Sequence, residues 1–276
     1  MTITFMKTKL SQDQIQKYRA DGFLHVPGFL DSREVDTLKT AILEAISTMG
    51  LRRIAGEGAD FKDTDSSDSK NFTQRLNLWK INETVKSFML NPELGRLMCE
   101  MEGIEGIRVW HDQALIKEPY GLPTAWHLDD PFFSFFSRHT ISVWIALEDA
   151  TPFNGCMCFV PGSHKLAKFE STGFGMNLGE LFKLYPKMGE IDPVPVPMKA
   201  GDCSFHNGLT AHGAGANMTR SRRIAMTCAY MPDGSTYNGI KNILSDAYAK
   251  TLTVGDVLDN EAQNPIVYSS RAAVAA

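Results

Sequence analysis

The sequence has no apolar run of the roughly 18 residues needed to cross a bilayer. Its opening, Met1-Thr2-Ile3-Thr4-Phe5, carries neither the charged nor the apolar region of a secretory leader. A cytoplasmic protein with no membrane partner is the expectation. There is no excess of basic charge either: 28 Lys and Arg against 32 Asp and Glu leave a formal charge of −4, so nothing electrostatic favours nucleic acid. A small-molecule partner is expected instead. The five cysteines, Cys99, Cys156, Cys158, Cys203 and Cys228, are an odd and scattered set, which excludes a disulfide framework. Cys156-Met157-Cys158 has the wrong spacing for a zinc knuckle, so reduced thiols are expected. Internal repeats and long low-complexity segments are absent as well, leaving 276 residues that can bury one sizeable core.

What is present divides the chain by pattern. Ser11 can cap a helix over 12–19, and Asp31-Ser32 a second from Arg33 to about Met49, with Val35, Leu38, Ile42 and Ile46 on one face. Between them Gly22-Phe23-Leu24-His25-Val26-Pro27-Gly28 reads as a short strand closed by turn residues. Residues 52–71 are polar and rich in Gly, Asp, Ser and Lys, the composition of a mobile loop. From about Ile107 onward, short alternating segments separated by Gly, Pro and Asn-Gly turns predict a β-sandwich or barrel. We therefore expect one domain: helical support over about 8–105, a β core over about 106–232, and a closing or contact segment over about 233–276. The last segment would serve as a lid or as a homodimer contact. Residues 165–190 read as a partly helical lid or insert.

Three β segments can be read face by face, because successive side chains alternate. In 140–147, Ser142, Trp144 and Ala146 share one face, opposite Ile141, Val143, Ile145 and Leu147. The apolar face should pack under helices and the mixed face line a cavity. In 223–230, Arg223 lies with Ala225, Thr227 and Ala229, opposite Ile224, Met226, Cys228 and Tyr230. A guanidinium among small residues has room for an anion. In 109–117, His111, Gln113, Leu115 and Lys117 form a mostly polar stripe, opposite Trp110, Ala114 and Ile116.

The chemistry concentrates in Trp126-His127-Leu128-Asp129 and in His212-Gly213-Ala214-Gly215-Ala216-Asn217, followed by Arg223. Two histidines and one carboxylate are the ligand set of a non-haem Fe(II) oxygenase site, which leaves coordination positions for substrate and O2. On a strand, His127 and Asp129 would project to one face while Leu128 enters packing. Asp130, the rival carboxylate, should leave the opposite face and orient the following loop. His206, the rival distal ligand, lacks an Arg at the right interval and is read as a supporting residue. His164 reads as a turn residue, and His25 and His139 carry no specific signal. Phe132, Phe133, Phe135 and Phe136 crowd the loop after the first motif. We expect some of them to pack on a sheet edge and Phe132 or Phe133 to line an apolar substrate site.

These residues resemble the phytanoyl-CoA dioxygenase family of Fe(II)/2-oxoglutarate oxygenases. The resemblance runs through Gln14–Phe29, the Trp126–Asp129 motif, Val143–Ala150, Asn154-Gly155-Cys156, Pro161-Gly162-Ser163-His164 and the His212–Arg223 block. It implies a mainly β fold with flanking helices: a double-stranded β-helix, the jelly-roll or cupin-like arrangement of two facing sheets. It also implies His127, Asp129 and His212 as iron ligands and Arg223 as the anchor for the distal carboxylate of 2-oxoglutarate. A planar guanidinium suits that task, because it can donate two parallel hydrogen bonds to a carboxylate. Gln113 and Trp144 match positions that contact the cosubstrate, while His111 and Lys117 are read with Phe132 and Phe133 as substrate contacts. The presence of Asp129, where halogenating relatives carry a small residue, implies hydroxylation of an unactivated C–H bond. Desaturation, epimerisation and ring formation are the alternatives with the same cofactors. A catalytically silent binding module and a zinc hydrolase are the alternatives from other classes.

Overall fold

The computed structural model describes residues 6–50, 52–55, 72–172 and 177–271. Helix α1 (Gln12–Asp21) starts at Ser11, whose hydroxyl accepts from Gln14 N while the Gln14 side chain accepts from the Ser11 backbone. It ends at Gly22, held at φ +82°, where a Cβ would lie 2.4 Å from both His164 Nδ1 and Thr210 Oγ1. Only glycine fits there. Helix α2 (Ser32–Met49) is closed by the same reciprocal cap between Asp31 and Glu34, and buries Val35, Leu38 and Ile42 as the periodicity predicts. Two further helices, α3 (Glu83–Met89) and α4 (Pro92–Glu102), take their caps from Asn82 and Asn91. The short α5 (Glu180–Leu184) and α6 (Asp246–Ala249) come later in the chain. No helix among the described residues is long and apolar enough to cross a membrane.

The strands are β1 (Phe23–Val26), β2 (Phe72–Leu76), β3 (Gly106–Lys117), β4 (Thr124–His127), β5 (Ile141–Ala146), β6 (Met157–Phe159), β7 (Val194–Val196), β8 (Cys203–Asn207), β9 (His212–Ala214), β10 (Arg223–Pro232) and β11 (Ile266–Ser269). Seven form one sheet in the order β1-β8-β5-β10-β3-β11, with β2 also paired to β3. The other four form a second sheet, β4-β9-β6-β7. One face of the large sheet packs on the helices through Ile141, Val143, Ile145, Ile224, Met226 and Cys228, which bury against Leu38, Ile42, Phe88 and Leu97. The other face meets the small sheet, where Trp144, Ala146 and Ala225 pack against Cys156, Met157, Phe159 and Val196. This is the jelly-roll expected from the sequence, and β5 and β10 present the faces that alternation assigns them.

Strand β3 departs from strict alternation. A bulge opposite Ala229 and Tyr230 pairs Ala229 with His111 and Tyr230 with Val109, so Trp110 has no partner in the ladder. Trp110 therefore turns to the inner side, against Phe133, Phe135 and Ala229, and does not join Ala114 and Ile116 as strict alternation predicts. Residues 56–71 of the polar stretch 52–71 lie outside the described residues; Ile54 forms a parallel bridge to Leu76. The 165–190 segment is partly helical, with Leu181, Tyr185 and Met188 packed on Leu128 and Leu209. The segment after β10 lays Tyr237, Leu244 and Leu258 over Trp110, Phe133 and Phe135. Hydrogen bonds from Asn238 N to Ser134 O at 2.9 Å and from Asn238 Nδ2 to Phe133 O at 3.0 Å fix it there.

Candidate active site

His127 and His212 are register partners on β4 and β9, and their rings lie 4.1 Å apart. Each ring is oriented by a carbonyl two residues earlier: His127 Nδ1 is 2.8 Å from Ala125 O and His212 Nδ1 is 2.9 Å from Thr210 O. A carbonyl only accepts, so both Nδ1 atoms carry the proton and both Nε2 atoms present a lone pair. Both Nε2 atoms point at Asp129 Oδ1 from 3.6 Å. Two lone pairs converging on a carboxylate oxygen repel unless a cation lies between them. The three residues offer ligand atoms all within 4.8 Å of one another, a nitrogen and oxygen donor set that fits Fe(II).

Asp129 reaches this position by a turn, which corrects the expectation that it shares a strand with His127. β4 stops at His127, Asp129 adopts φ −78° and ψ −50°, and Asp130–Phe132 form a single 3-10 turn. Asp129 N and Asp130 N both donate to Gly208 O, at 2.9 and 3.0 Å, which bends the chain. Leu128 is buried, as expected, and Asp130 points away to accept from Thr140 Oγ1 and from Ser137 N at 3.2 Å.

A second layer holds the carboxylate. Ser142 Oγ donates to Asp129 Oδ2 at 3.3 Å, and His206 Nε2 lies 3.2 Å from the same oxygen. Oδ1 is thereby left facing the histidines. Burial works to raise the Asp129 carboxyl, but its histidine neighbours His212, His127 and His206 hold it well below the usual carboxylate range. Burial, reinforced by His127, pushes His212 down to about 3, keeping it a neutral imidazole. His206 is thus a supporting residue, as read from sequence. The Ser142 contact was not foreseen, although its inward position was legible.

Arg223 opens β10 on the inner face and is 2% exposed. Its guanidinium sits 5.1 Å from the Trp144 ring centroid, and its Nε and Nη1 are buried without a hydrogen-bond partner. Such donors call for an anion, which the distal carboxylate of 2-oxoglutarate would supply. Burial pulls the guanidinium down to about 10. Lys117 lies beside it, as its register partner on β3. Lys117, read from the sequence with His111 as a substrate contact, thus sits beside Arg223, six residues along β3 from His111.

His111 and Gln113 lie further along β3. Gln113 Nε2 is 3.3 Å from His111 Nδ1, its side-chain carbonyl accepts from Gln74 Nε2, and the Gln74 carbonyl accepts in turn from Arg53. This polar chain was not read from the sequence, because Arg53 and Gln74 carry no motif. His111 stands edge-on to Phe133, with ring centroids 5.5 Å apart, and burial pushes it down to about 4. Phe135 is core, Phe136 is exposed and packs on Phe169 at 5.0 Å, and Phe132 is half-buried.

The chain's similarities agree with this geometry. The family model described as phytanoyl-CoA dioxygenase (PhyH) matches residues 18–225. The probable alpha-ketoglutarate-dependent hypophosphite dioxygenase of Stutzerimonas stutzeri is 25% identical over 232 residues, covering 79% of this chain and 77% of its own. Among solved structures, the non-heme alpha ketoglutarate dependent carbocyclase SnoK from nogalamycin biosynthesis matches with a TM-score of 0.76 at 30% identity, covering 94% of this chain and 96% of its own. The epimerase SnoN, solved with Fe3+, alpha ketoglutarate and nogalamycin RO, gives 0.69 at 27% identity, over 93% and 98%. The protein is an iron- and 2-oxoglutarate-dependent dioxygenase, and it belongs to the phytanoyl-CoA dioxygenase family.

Proposed function

We propose that the protein hydroxylates an unactivated C–H bond of a small molecule. In this reading His127, Asp129 and His212 hold Fe(II), and Arg223 holds the distal carboxylate of 2-oxoglutarate. The observation that carries the assignment is the convergence of both Nε2 atoms on Asp129 Oδ1 at 3.6 Å. When bound, iron and 2-oxoglutarate supply the oxidising power to break a C–H bond, consuming O2 and releasing succinate and CO2. The chain supplies the rest. Ala125 O and Thr210 O fix the two imidazoles, Ser142 and His206 fix the carboxylate, and Arg223 orients the cosubstrate before O2 arrives.

Hydroxylation is favoured over halogenation because Asp129 is a carboxylate where a halide would need space. Ring closure is the second reading, supported by the likeness to the carbocyclase SnoK. The product mass separates them. A compound that stimulates succinate release should gain one oxygen atom under 18O2, carrying the label; loss of two hydrogens without label would establish ring closure or desaturation instead.

Phe133 stands edge-on to His111, well along β3 from the register partner of Arg223, and we assign it to the substrate. Phe133→Ala should raise the substrate KM at least about tenfold, by loss of roughly 2 kcal/mol of apolar burial, and leave the cosubstrate KM unchanged. Equal substrate KM values in the two proteins would remove Phe133 from the site. His206 tunes the metal through Asp129. His206→Ala should weaken Fe(II) binding about 10–100-fold in an anaerobic titration, with 2-oxoglutarate affinity at saturating iron preserved. Unchanged Fe(II) affinity would mean the 3.2 Å contact has no influence on the ligand.

A further inference from the structure

Two of the three residues assigned to the metal take their geometry from one turn. Residues 208–211 connect β8 to β9 and so carry the chain from the large sheet to the small one. Gly208 O accepts from Asp129 N and Asp130 N, and Thr210 O accepts from His212 Nδ1 at 2.9 Å. His127 does not depend on this turn, since its ring is set by Ala125 O on β4. Any shift of the turn therefore moves Asp129 and His212 against His127. A ligand cluster is only as exact as the groups that hold its members.

The turn is fixed at its start by Asn207, which is buried and uses its whole amide. Oδ1 accepts from Leu209 N at 3.0 Å, while Nδ2 donates to Arg138 O at 2.8 Å and to Glu102 Oε1 at 3.1 Å. Asn207 N also donates to Gly22 O at 2.9 Å, and Thr210 N donates to Asn207 O at 2.8 Å. Thr210, fully buried, donates its hydroxyl to the same Gly22 O at 2.8 Å. Both ends of the turn thus hang on the carbonyl that closes α1. Between them Gly208 leaves little room for a side chain, since a Cβ would lie 3.0 Å from Thr140 Cβ and 3.4 Å from Asp130 Cβ. Glu102 is the anchor behind Asn207. It ends α4, where a carboxylate meets the negative end of the helix dipole, and its side chain is only 6% exposed. Three groups hold it there: the Tyr18 hydroxyl, Asn207 Nδ2 and, at 3.2 Å, His139 Nδ1. They come from α1, β8 and the loop before β5, so one carboxylate joins the helical layer to the strand that leads into the turn.

We propose that Asn207 and Thr210 are positioning residues of the metal centre: they fix Gly208 O and Thr210 O, and through these carbonyls set where Asp129 and His212 meet the ion. Glu102 ties that setting to the helical layer. The inference rests on the reading that His127, Asp129 and His212 hold Fe(II). Neither positioning side chain is a ligand, and each acts through the backbone of the turn. The helices are then part of the metal site as well as a support for the large sheet.

The test is anaerobic titration of the metal-free protein with Fe(II) and, separately, with Co(II), whose visible absorption reports coordination geometry. Asn207→Ala removes the side-chain bonds to Leu209 N, Arg138 O and Glu102. Thr210→Val keeps the shape and removes only the bond to Gly22 O, so it decides the matter if Asn207→Ala does not fold. Fe(II) binding should weaken about 10–100-fold in Asn207→Ala and at least about threefold in Thr210→Val, each with an altered Co(II) spectrum. Arg19→Met is the control: it removes the bonds from Arg19 to Glu100 O and Met101 O, both 2.8 Å, at the end of α4 and leaves the turn alone. It should lower thermal stability and keep the metal affinity and Co(II) spectrum of the wild type. Wild-type Fe(II) affinity and Co(II) spectrum in either folded turn variant overturn the proposal. An equal loss of affinity in Arg19→Met also overturns it, because general loosening of the helical layer would then be responsible. Failure of the wild type to bind Fe(II), or Co(II) binding left unchanged in Asp129→Ala, defeats the ligand reading itself and the proposal with it, and is seen without the turn variants.

Discussion

Asp129→Ala is expected to abolish 2-oxoglutarate turnover, lowering succinate formation by at least about 10³-fold, beyond the 10–100-fold typical of losing a residue that only supports a metal ligand. Three effects combine at this side chain. It supplies the negative charge of the ligand cluster, and its Oδ1 is the atom on which His127 and His212 Nε2 converge at 3.6 Å. Its Oδ2 accepts from Ser142 and His206, so its removal leaves both of those groups without their partner. Its carboxyl is also held well below the usual range by its histidine neighbours, which keeps it charged at any working pH. Asp129→Asn keeps the shape and loses the charge, and should fall nearly as far. The check is an anaerobic Fe(II) titration beside a succinate assay. Iron binding and turnover that survive in Asp129→Ala would show that the oxygenase metal is held elsewhere.

The path from sequence to this cluster was short in one respect and indirect in another. Alternation in β5 and β10 assigned inner and outer faces correctly, because both strands are regular and have one face against helices and one against the small sheet. That put Ser142, Trp144 and Arg223 inside without any structure. The same rule failed at Trp110, since one bulged residue reverses every side chain before it and leaves no mark in composition. It also misled about Asp129, which reaches the cluster through a turn built on Gly208 O, a contact 79 residues away that local pattern cannot contain. Lys117 shows a different limit. Alternation placed it on the same face as His111, but a face says nothing about depth, and six residues of strand separate the two by roughly 20 Å. A residue read with the substrate thereby sits beside Arg223. Strands β2 and β11 escaped notice because each is a short sheet-edge segment whose identity depends on pairing with β3.

Arg223→Met should weaken 2-oxoglutarate binding about 100-fold while leaving the metal-free protein at least as stable as the wild type. The affinity loss follows from two charge-assisted hydrogen bonds at about 1.5 kcal/mol or more each, with roughly 1.4 kcal/mol per factor of ten. The stability expectation follows from the opposite sign of the same interaction. Burial lowers the guanidinium to about 10 from an ordinary 12.5, so the folded chain holds the proton less tightly than the unfolded chain. At neutral pH the charge therefore subtracts from stability, and that deficit is relieved only as pH rises above about 10. Methionine fills similar space without a buried charge, and it also relieves repulsion with Lys117. A residue conserving the fold would behave in the reverse way, losing stability and leaving ligand affinity alone. Thermal unfolding of the metal-free protein and 2-oxoglutarate titration of the anaerobic Fe(II) protein read the two effects separately. Arg223→Lys sharpens the distinction, since it keeps the charge but cannot donate two parallel bonds, and should recover only part of the affinity. Undiminished 2-oxoglutarate binding in Arg223→Met, in a protein that still binds iron, would sink the assignment of Arg223 to the cosubstrate carboxylate. Weak binding joined to higher stability would mark Arg223 as a group retained for the ligand at a cost to the fold.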